Sequence, residues 1–206
     1  MEKTQVPDIV VSRLPVYLRA LEIMDLEGKE TVTSAELAER LDLSPAQIRK
    51  DLSYFGGFGK QGKGYSVRKL ASELRRILNV EEEWEMALVG VGDLGRALVH
   101  YQGFRDKGFR LTLLFDNNPQ KIGTRIEGLE IMDSALIPTL IPERGIKIAI
   151  IAVPPQEAQK VADALVSAGV KAILNYAPVN LKVPPHVKVQ YIDPVVNLRR
   201  MTYYLK

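Results

Sequence analysis

The stretch MALVGVGDLG, residues 86–95, decides how this sequence is read. Its apolar part, 86–91, has the length of a buried strand, and a helical stretch follows to about residue 105. Between them lies Gly90-Val91-Gly92-Asp93-Leu94-Gly95, and Asp116 comes about 20 residues beyond it, after a second strand at 110–115. The pattern G-x-G-x-x-G is weak evidence alone, but here the strand, the helix and the acid all stand where a dinucleotide site needs them. Gly90 permits the tight turn, Gly92 lets the backbone approach a pyrophosphate with no Cβ in the way, and Gly95 lets helix and strand pack closely. The helix N-terminus then offers unpaired N–H groups and the positive end of its dipole to the phosphates. Asp116 can accept hydrogen bonds from the adenosine ribose hydroxyls and would repel a 2′-phosphate, which favours NAD(H) over NADP(H). A glycine-rich turn that binds nothing, or another nucleotide, is the competing reading. Asp93 sits where a carboxylate close to pyrophosphate is unfavourable; it either points away or caps the helix, and a helix N-cap or first-turn acid is the simpler assignment.

Working outward, further buried strands are expected at 147–153, 171–175 and 187–192, with helices near 156–168 and, interrupted by Pro138 and Pro142, at 133–145. Strands alternating with helices imply a parallel sheet covered on both faces. Before residue 80 the spacing is helical. Residues 15–27 carry Val16, Leu18, Leu21, Ile23, Met24 and Leu26 at close to a 3.6 period. Thr33 followed by Glu36 reads as a capping box opening a helix through Leu37, Ala38 and Leu41. Ser44 as N-cap, Pro45 at the first position and Gln47 to close a second box open another, 45–55. Two short extended arms around a Gly/Lys tip, 58–67, complete three helices and a hairpin. The acidic run NVEEE at 79–83 marks a boundary. The expected fold is α/β: a winged helix-turn-helix domain (1–79), a Rossmann-like parallel-sheet domain (84–193) and a C-terminal helix (194–206).

Residues 40–69 hold seven bases (Arg40, Arg49, Lys50, Lys60, Lys63, Arg68, Lys69) and two acids (Asp42, Asp51). That local excess is larger than the +3 of the whole chain, so the basic charge is concentrated here. A basic second helix after a tight turn is the footprint of a major-groove reader. Ser44, Gln47, Arg49 and Lys50 lie near its start, where side chains reach base edges or flanking phosphates. Ser53 and Tyr54, a turn later, can contact phosphate, and Lys60 and Lys63 suit a minor groove or its edge. The bland alternative is a solvated basic surface.

Composition excludes several classes. Cys is absent, which removes disulfides, thiolate metal centres and thiol nucleophiles. The two histidines, His100 and His186, make no His-rich metal site, so no metal is expected. No apolar run approaches the ~20 residues of a membrane span, and no secretory leader is evident, so a soluble cytoplasmic protein is expected. A small NAD(H)-dependent oxidoreductase with a basic appended domain is the rival function. Hydride transfer needs an acid/base partner, but Tyr65 and Lys69 lie outside the nucleotide region and His100 on its first helix. No catalytic residue is assigned. A dimerising DNA-binding module without a nucleotide is a third possibility.

Taken together, the residues resemble the redox-sensing transcriptional repressor Rex family over essentially the whole chain. The stretch Gln47-Ile-Arg-Lys-Asp-Leu-Ser-Tyr-Phe-Gly56 looks like its recognition helix and Gly62-Lys-Gly-Tyr65 like its wing. Tyr101-Gln-Gly-Phe104, Ala152-Val-Pro154 and Ile173-Leu-Asn-Tyr-Ala-Pro178 are similar to its nucleotide domain. The resemblance implies a homodimer on a palindromic double-stranded DNA operator, released by NADH, with NAD+ competing but not releasing. It implies no protein substrate, and a C-terminal helix swapped into the partner along Val195, Leu198, Met201 and Leu205. By the same resemblance Val153, Pro154, Asn175, Tyr176 and Ala177 line the cofactor, with Tyr101 and Asp193 near the nicotinamide. Two positions depart from the pattern: Asp93, often Asn or a base, and Pro194, where relatives tend to carry an apolar side chain.

Overall fold

The computed structural model describes residues 6–58 and 64–205. It divides into two compact units, Met1–Glu82 and Glu83–Lys206.

The first unit contains α1 (Asp8–Leu26), β1 (Thr31–Val32), α2 (Ser34–Leu41), α3 (Pro45–Ser53), β2 (Tyr65–Ser66) and α4 (Val67–Leu78). Its core is formed by Leu14, Tyr17, Leu21, Leu37, Ile48, Leu52, Leu70 and Leu74, all essentially inaccessible. α1 begins seven residues before the expected start, with Pro15 inside it. Burying Val10 and Leu14 outweighs the one backbone bond that a proline removes. The capping box at α2 is complete: Glu36 N–H donates to Thr33 Oγ1 at 3.1 Å, and Thr33 N–H donates to Glu36 Oε2 at 2.7 Å. The Lys29 ammonium first, then the Thr33 backbone N–H and hydroxyl, hold the Glu36 carboxyl down at about 2. Asp42 takes a left-handed conformation (φ 54°) to turn α2 into α3.

The arm Tyr65–Ser66 of the expected hairpin pairs antiparallel with Thr31–Val32, and residues 59–63, between its two arms, lie outside the described residues. The expectation of three helices is corrected. A fourth helix, α4, follows directly, burying Val67, Leu70, Ala71 and Leu74.

The second unit contains β3 (Trp84–Val89), α5 (Asp93–Val99), β4 (Phe109–Asp116), β5 (Arg125–Ile126), β6 (Leu129–Asp133), α6 (Ile137–Glu143), β7 (Ile148–Ile151), α7 (Pro155–Ser167), β8 (Ala172–Asn175), β9 (Lys188–Tyr191) and α8 (Pro194–Thr202). The sheet order is β5-β6-β4-β3-β7-β8-β9, and every pair is parallel except β5 with β6. From β6 to β9 this is the doubly wound order, with its reversal between β3 and β7. Alternation along β3 feeds two cores. Ala87 and Val89 pack with Phe115 and Ile151 under α6 and α7, while Met86 and Leu88 pack with Leu114 and Leu98 of α5 on the other face. α5 ends at Val99 rather than near 105; the chain turns where Gly103 lies against the Tyr101 ring. The hairpin β5–β6 was not anticipated. Asp193 caps α8, accepting from Val195 N–H at 2.9 Å, and no residue of α8 is buried within the chain. Among the described residues no helix is long and apolar enough to cross a membrane.

Candidate functional site

A cleft of about 390 Å³ opens in the second unit at the carboxyl ends of β3, β4 and β7. In open α/β sheets ligands bind at this reversal of strand order. Gly90 leaves β3 at φ +98° and donates its N–H to Phe115 O at 2.8 Å. A Cβ there would lie 2.5 Å from Ala152 O, and one on Gly95 would lie 2.0 Å from Gly90 O. Gly92 differs: a Cβ would meet nothing within 4 Å. It is the N-cap of α5 and lends no side chain to the helix end, whose first-turn N–H groups have no acceptor within a helix. The space above Gly92 therefore suits a ligand group rather than protein.

Asp116 is 5% exposed. Its Oδ2 accepts from Val91 N–H at 2.8 Å and from Lys121 Nζ at 3.1 Å, and Oδ1 accepts from Asn118 N–H at 2.9 Å. Burial alone would raise the carboxyl, but the Asn118 and Val91 amides and the Lys121 ammonium outweigh it and hold the group ionised below the usual range. A carboxylate has about four lone-pair positions, so one remains for a ribose hydroxyl. Asp116 thus also shapes the glycine loop through Val91, which sequence spacing did not reveal.

Of the expected cofactor residues, the cleft brings together Gly90, Gly92, Asp116, Val153 and Pro154. Asp93 and Leu94 are exposed in the first turn of α5, and Asp93 is not the cap. Asn175 is fully buried. Its amide donates to Ala177 O and Val179 O at 3.0 Å and its Oδ1 accepts from Ala177 N–H, so its side chain shapes the loop rather than the cleft. Tyr101 is exposed and meets Phe104 edge-on at 5.0 Å. Tyr176 is half-buried; burial, then the neighbouring Tyr101, pushes its phenol up. Lys121, Ser134, Glu157 and Lys160 also line the cleft and were not anticipated. No short-range signal singles them out.

In the first unit, Ser44 caps α3, accepting from Gln47 N–H at 3.1 Å. The second capping box does not close: Gln47 Nε2 donates to Asp51 Oδ1 at 2.7 Å instead. Arg49 and Lys50 are exposed, and Arg49 Nη1 donates to Ser34 Oγ at 3.1 Å across to α2. Ser53 Oγ donates to Lys50 O at 2.7 Å, and Tyr54 is half-buried at the helix end. Lys60 and Lys63 lie outside the described residues. The basic excess counted along 40–69 is smaller in space. Arg40 is paired with Glu27 and Arg68 with Asp25, acids supplied from α1 and just after it. Among the described residues no group of carboxylates and histidines could hold a metal ion.

Residues 5–53 match the family model described as putative DNA-binding protein N-terminus, and residues 81–179 the CoA binding domain. The chain is 54% identical over 206 residues to the redox-sensing transcriptional repressor Rex of Chloroflexus aurantiacus, covering 100% of this chain and 97% of the relative. The crystal structure of RSP in complex with beta-NAD+ and operator DNA is similar with a TM-score of 0.92 at 39% identity, covering 98% of this chain and 93% of that one. RSP in complex with beta-NADH gives 0.89 at 36%, covering 98% and 95%. With a glycine cradle beside a buried acid in one unit and a capped, basic second helix in the other, the chain belongs to the redox-sensing transcriptional repressor Rex family.

Proposed function

We propose that the protein is a redox-sensing transcriptional repressor that binds a palindromic operator as a homodimer and leaves it when NADH occupies the Gly92–Asp116 cleft. The observation that carries this reading is the open space above Gly92 beside an ionised, buried Asp116, on the same chain as a capped helix presenting Arg49 and Lys50. The nucleotide acts as a signal, so the protein's part is to bind it and to change its hold on DNA. Gly92 suits the pyrophosphate, in a loop shaped by Gly90 and Gly95, and Asp116 the adenosine ribose; Tyr101 and Asp193 are assigned to the nicotinamide side and Tyr176 to the cofactor's lining. Coenzyme A carries a phosphate on the same ribose, which the Asp116 carboxylate disfavours. The family is one of repressors rather than enzymes, and the oxidoreductase alternative falls with that. Repression requires access to DNA, which in a cell without a nucleus is the cytoplasm.

The dimer reading is supported by α8. Val195, Leu198 and Met201 are about half exposed or more in the single chain, which leaves an apolar stripe for a partner copy to cover. A two-fold dimer presents its two α3 helices to half-sites about one DNA turn apart, roughly 34–36 Å.

Equilibrium dialysis tests the cleft. NADH is retained in preference to NADPH and coenzyme A, and Asp116→Ala narrows the NADH/NADPH ratio, since Lys121 then lacks its carboxylate partner. An unchanged ratio would place the acid away from the ribose. On the DNA side, Lys50→Ala weakens binding to operator and random duplex alike and lowers the salt slope by about one. An unaltered slope, measured by polarisation across a salt series, would remove Lys50 from the phosphate contacts.

A further inference from the structure

Asp51 lies in the middle of α3, the helix assigned to DNA, yet it is fully buried. Its carboxylate accepts four hydrogen bonds. Arg13 of α1 donates through Nε to Oδ2 and through Nη2 to Oδ1 (2.8 Å), Tyr17 Oη donates to Oδ2 at 2.6 Å, and Gln47 Nε2 donates to Oδ1 at 2.7 Å. These fill its roughly four acceptor positions. Three bonds tie α3 to α1; the fourth stays within α3 and reaches one turn back to a residue on the reading end of the helix.

That fourth bond orients an amide. An ionised carboxylate only accepts, so Gln47 must turn its NH2 toward Asp51. Burial alone would raise the Asp51 carboxyl, but the bonds from Arg13, Tyr17 and Gln47 outweigh it and keep the group ionised. Gln47 is left with one amide N–H and its carbonyl oxygen, on a half-exposed side chain at the third position of α3. A donor beside an acceptor on one planar group is the pair that matches the N7 and N6 edge of adenine in the major groove. A long, free glutamine would lose rotamer freedom on binding; one already held loses less.

We propose that Asp51 is a positioning residue for sequence recognition: by holding one amide hydrogen of Gln47 it presents the rest of that amide to an adenine in each operator half-site. The proposal rests on the reading of α3 as the DNA-contacting helix.

The test is selection from a duplex pool with a randomised core, followed by sequencing, using the full-length protein and its variants, with thermal unfolding followed for each. The wild-type protein enriches an adenine in each half-site that Gln47→Ala no longer selects. Asp51→Asn loses that same preference by roughly ten-fold or more while the other positions hold, and it costs nothing further there when combined with Gln47→Ala. Tyr17→Phe, which keeps the Gln47–Asp51 bond, retains the preference. Should Asp51→Asn fail to fold, Gln47→Asn serves: its shorter amide cannot span from Asp51 to a base, so it selects as poorly as Gln47→Ala. Equal loss at every position in Asp51→Asn, the same loss in Tyr17→Phe, or full selectivity in Gln47→Asn overturns the proposal. If the wild type selects a sequence and Gln47→Ala selects the same one, Gln47 is not a base reader and the proposal falls while the DNA reading stands. If the wild type enriches nothing, the DNA reading itself fails.

Discussion

Gly95→Ala lowers the unfolding free energy of the C-terminal unit by about 3 kcal/mol, the upper part of the range for overpacking, whereas Gly92→Ala leaves it within about 0.5 kcal/mol. The two glycines stand three positions apart in one motif, and the difference is steric. A Cβ at Gly95 would lie 2.0 Å from the carbonyl oxygen of Gly90, a backbone atom fixed by its place at the end of β3. The roughly 0.5–1 kcal/mol that alanine gains over glycine in a helix is too small to offset that. At Gly92 the backbone is extended at φ −80° and the space is open, so alanine fits the protein. What it does not fit is a pyrophosphate drawn against that backbone. Gly92→Ala therefore loses NADH affinity by roughly ten-fold or more with its melting curve unchanged. Urea unfolding and equilibrium dialysis on both variants check this. A Gly92→Ala protein that binds NADH as tightly as the wild type would show that the phosphates lie elsewhere.

Arg13→Ala costs the N-terminal unit about 3 kcal/mol, the lower end of the range for breaking a buried pair because Arg13 itself is partly exposed, and it weakens operator binding. The loss comes from what remains: a fully buried Asp51 carboxylate with, among the described residues, no opposite charge beside it and only the neutral donors Tyr17 and Gln47 to hydrogen-bond it. In the wild type the folded-state pKa of Asp51 lies below the ordinary value. Its stabilisation is complete above the ordinary carboxylate pKa, about 4, and is lost as pH falls from there through the depressed value. Without Arg13 the effect of burial prevails and the folded pKa rises. Protonation then relieves the variant, so its deficit against the wild type is smaller near pH 5 than near pH 7. Urea unfolding at these two pH values decides the matter, and an equal deficit at both would mean that Arg13 acts through packing.

Much of this was legible in residue order because the signals are local. A strand-length apolar run, a glycine loop and a helix within 86–99 place the cleft, and Thr33–Glu36 and Ser44–Pro45 place two helix starts. What was not legible depends on partners distant in the chain. Pro15 reads as a helix start until Val10 and Leu14 are seen in the core. Val67, Leu70, Ala71 and Leu74 carry helical spacing, but three helices and a hairpin over 58–67 leave α4 out, because Val67 at its start reads as the end of the hairpin arm that pairs with Thr31–Val32. The β5–β6 turn uses Glu127 and Gly128, both at positive φ, a weaker signal than Asn-Gly or Asp-Gly. At the sites, the residue types were read correctly more often than their duties. Asp116 organises the loop as well as facing the cleft, Asn175 is occupied by its own loop, and Arg40 and Arg68 are matched by Glu27 and Asp25. Asp51 reads as one acid in a basic stretch, and only its three partners on two helices show that it is the fixed point of α3.

The coupling of the two units is the central claim, and it is a free energy: NADH can shift the protein off DNA only by its difference in affinity for the free and operator-bound forms. Fluorescence polarisation of a labelled palindromic duplex bound by this protein, at fixed salt, with NADH and NAD+ titrated separately, measures it directly. The account predicts that NADH releases the duplex at concentrations where NAD+ does not, with a shift in operator affinity of roughly 5–150-fold. Operator binding that is indifferent to saturating NADH, with the nucleotide shown by dialysis to be bound, would contradict it.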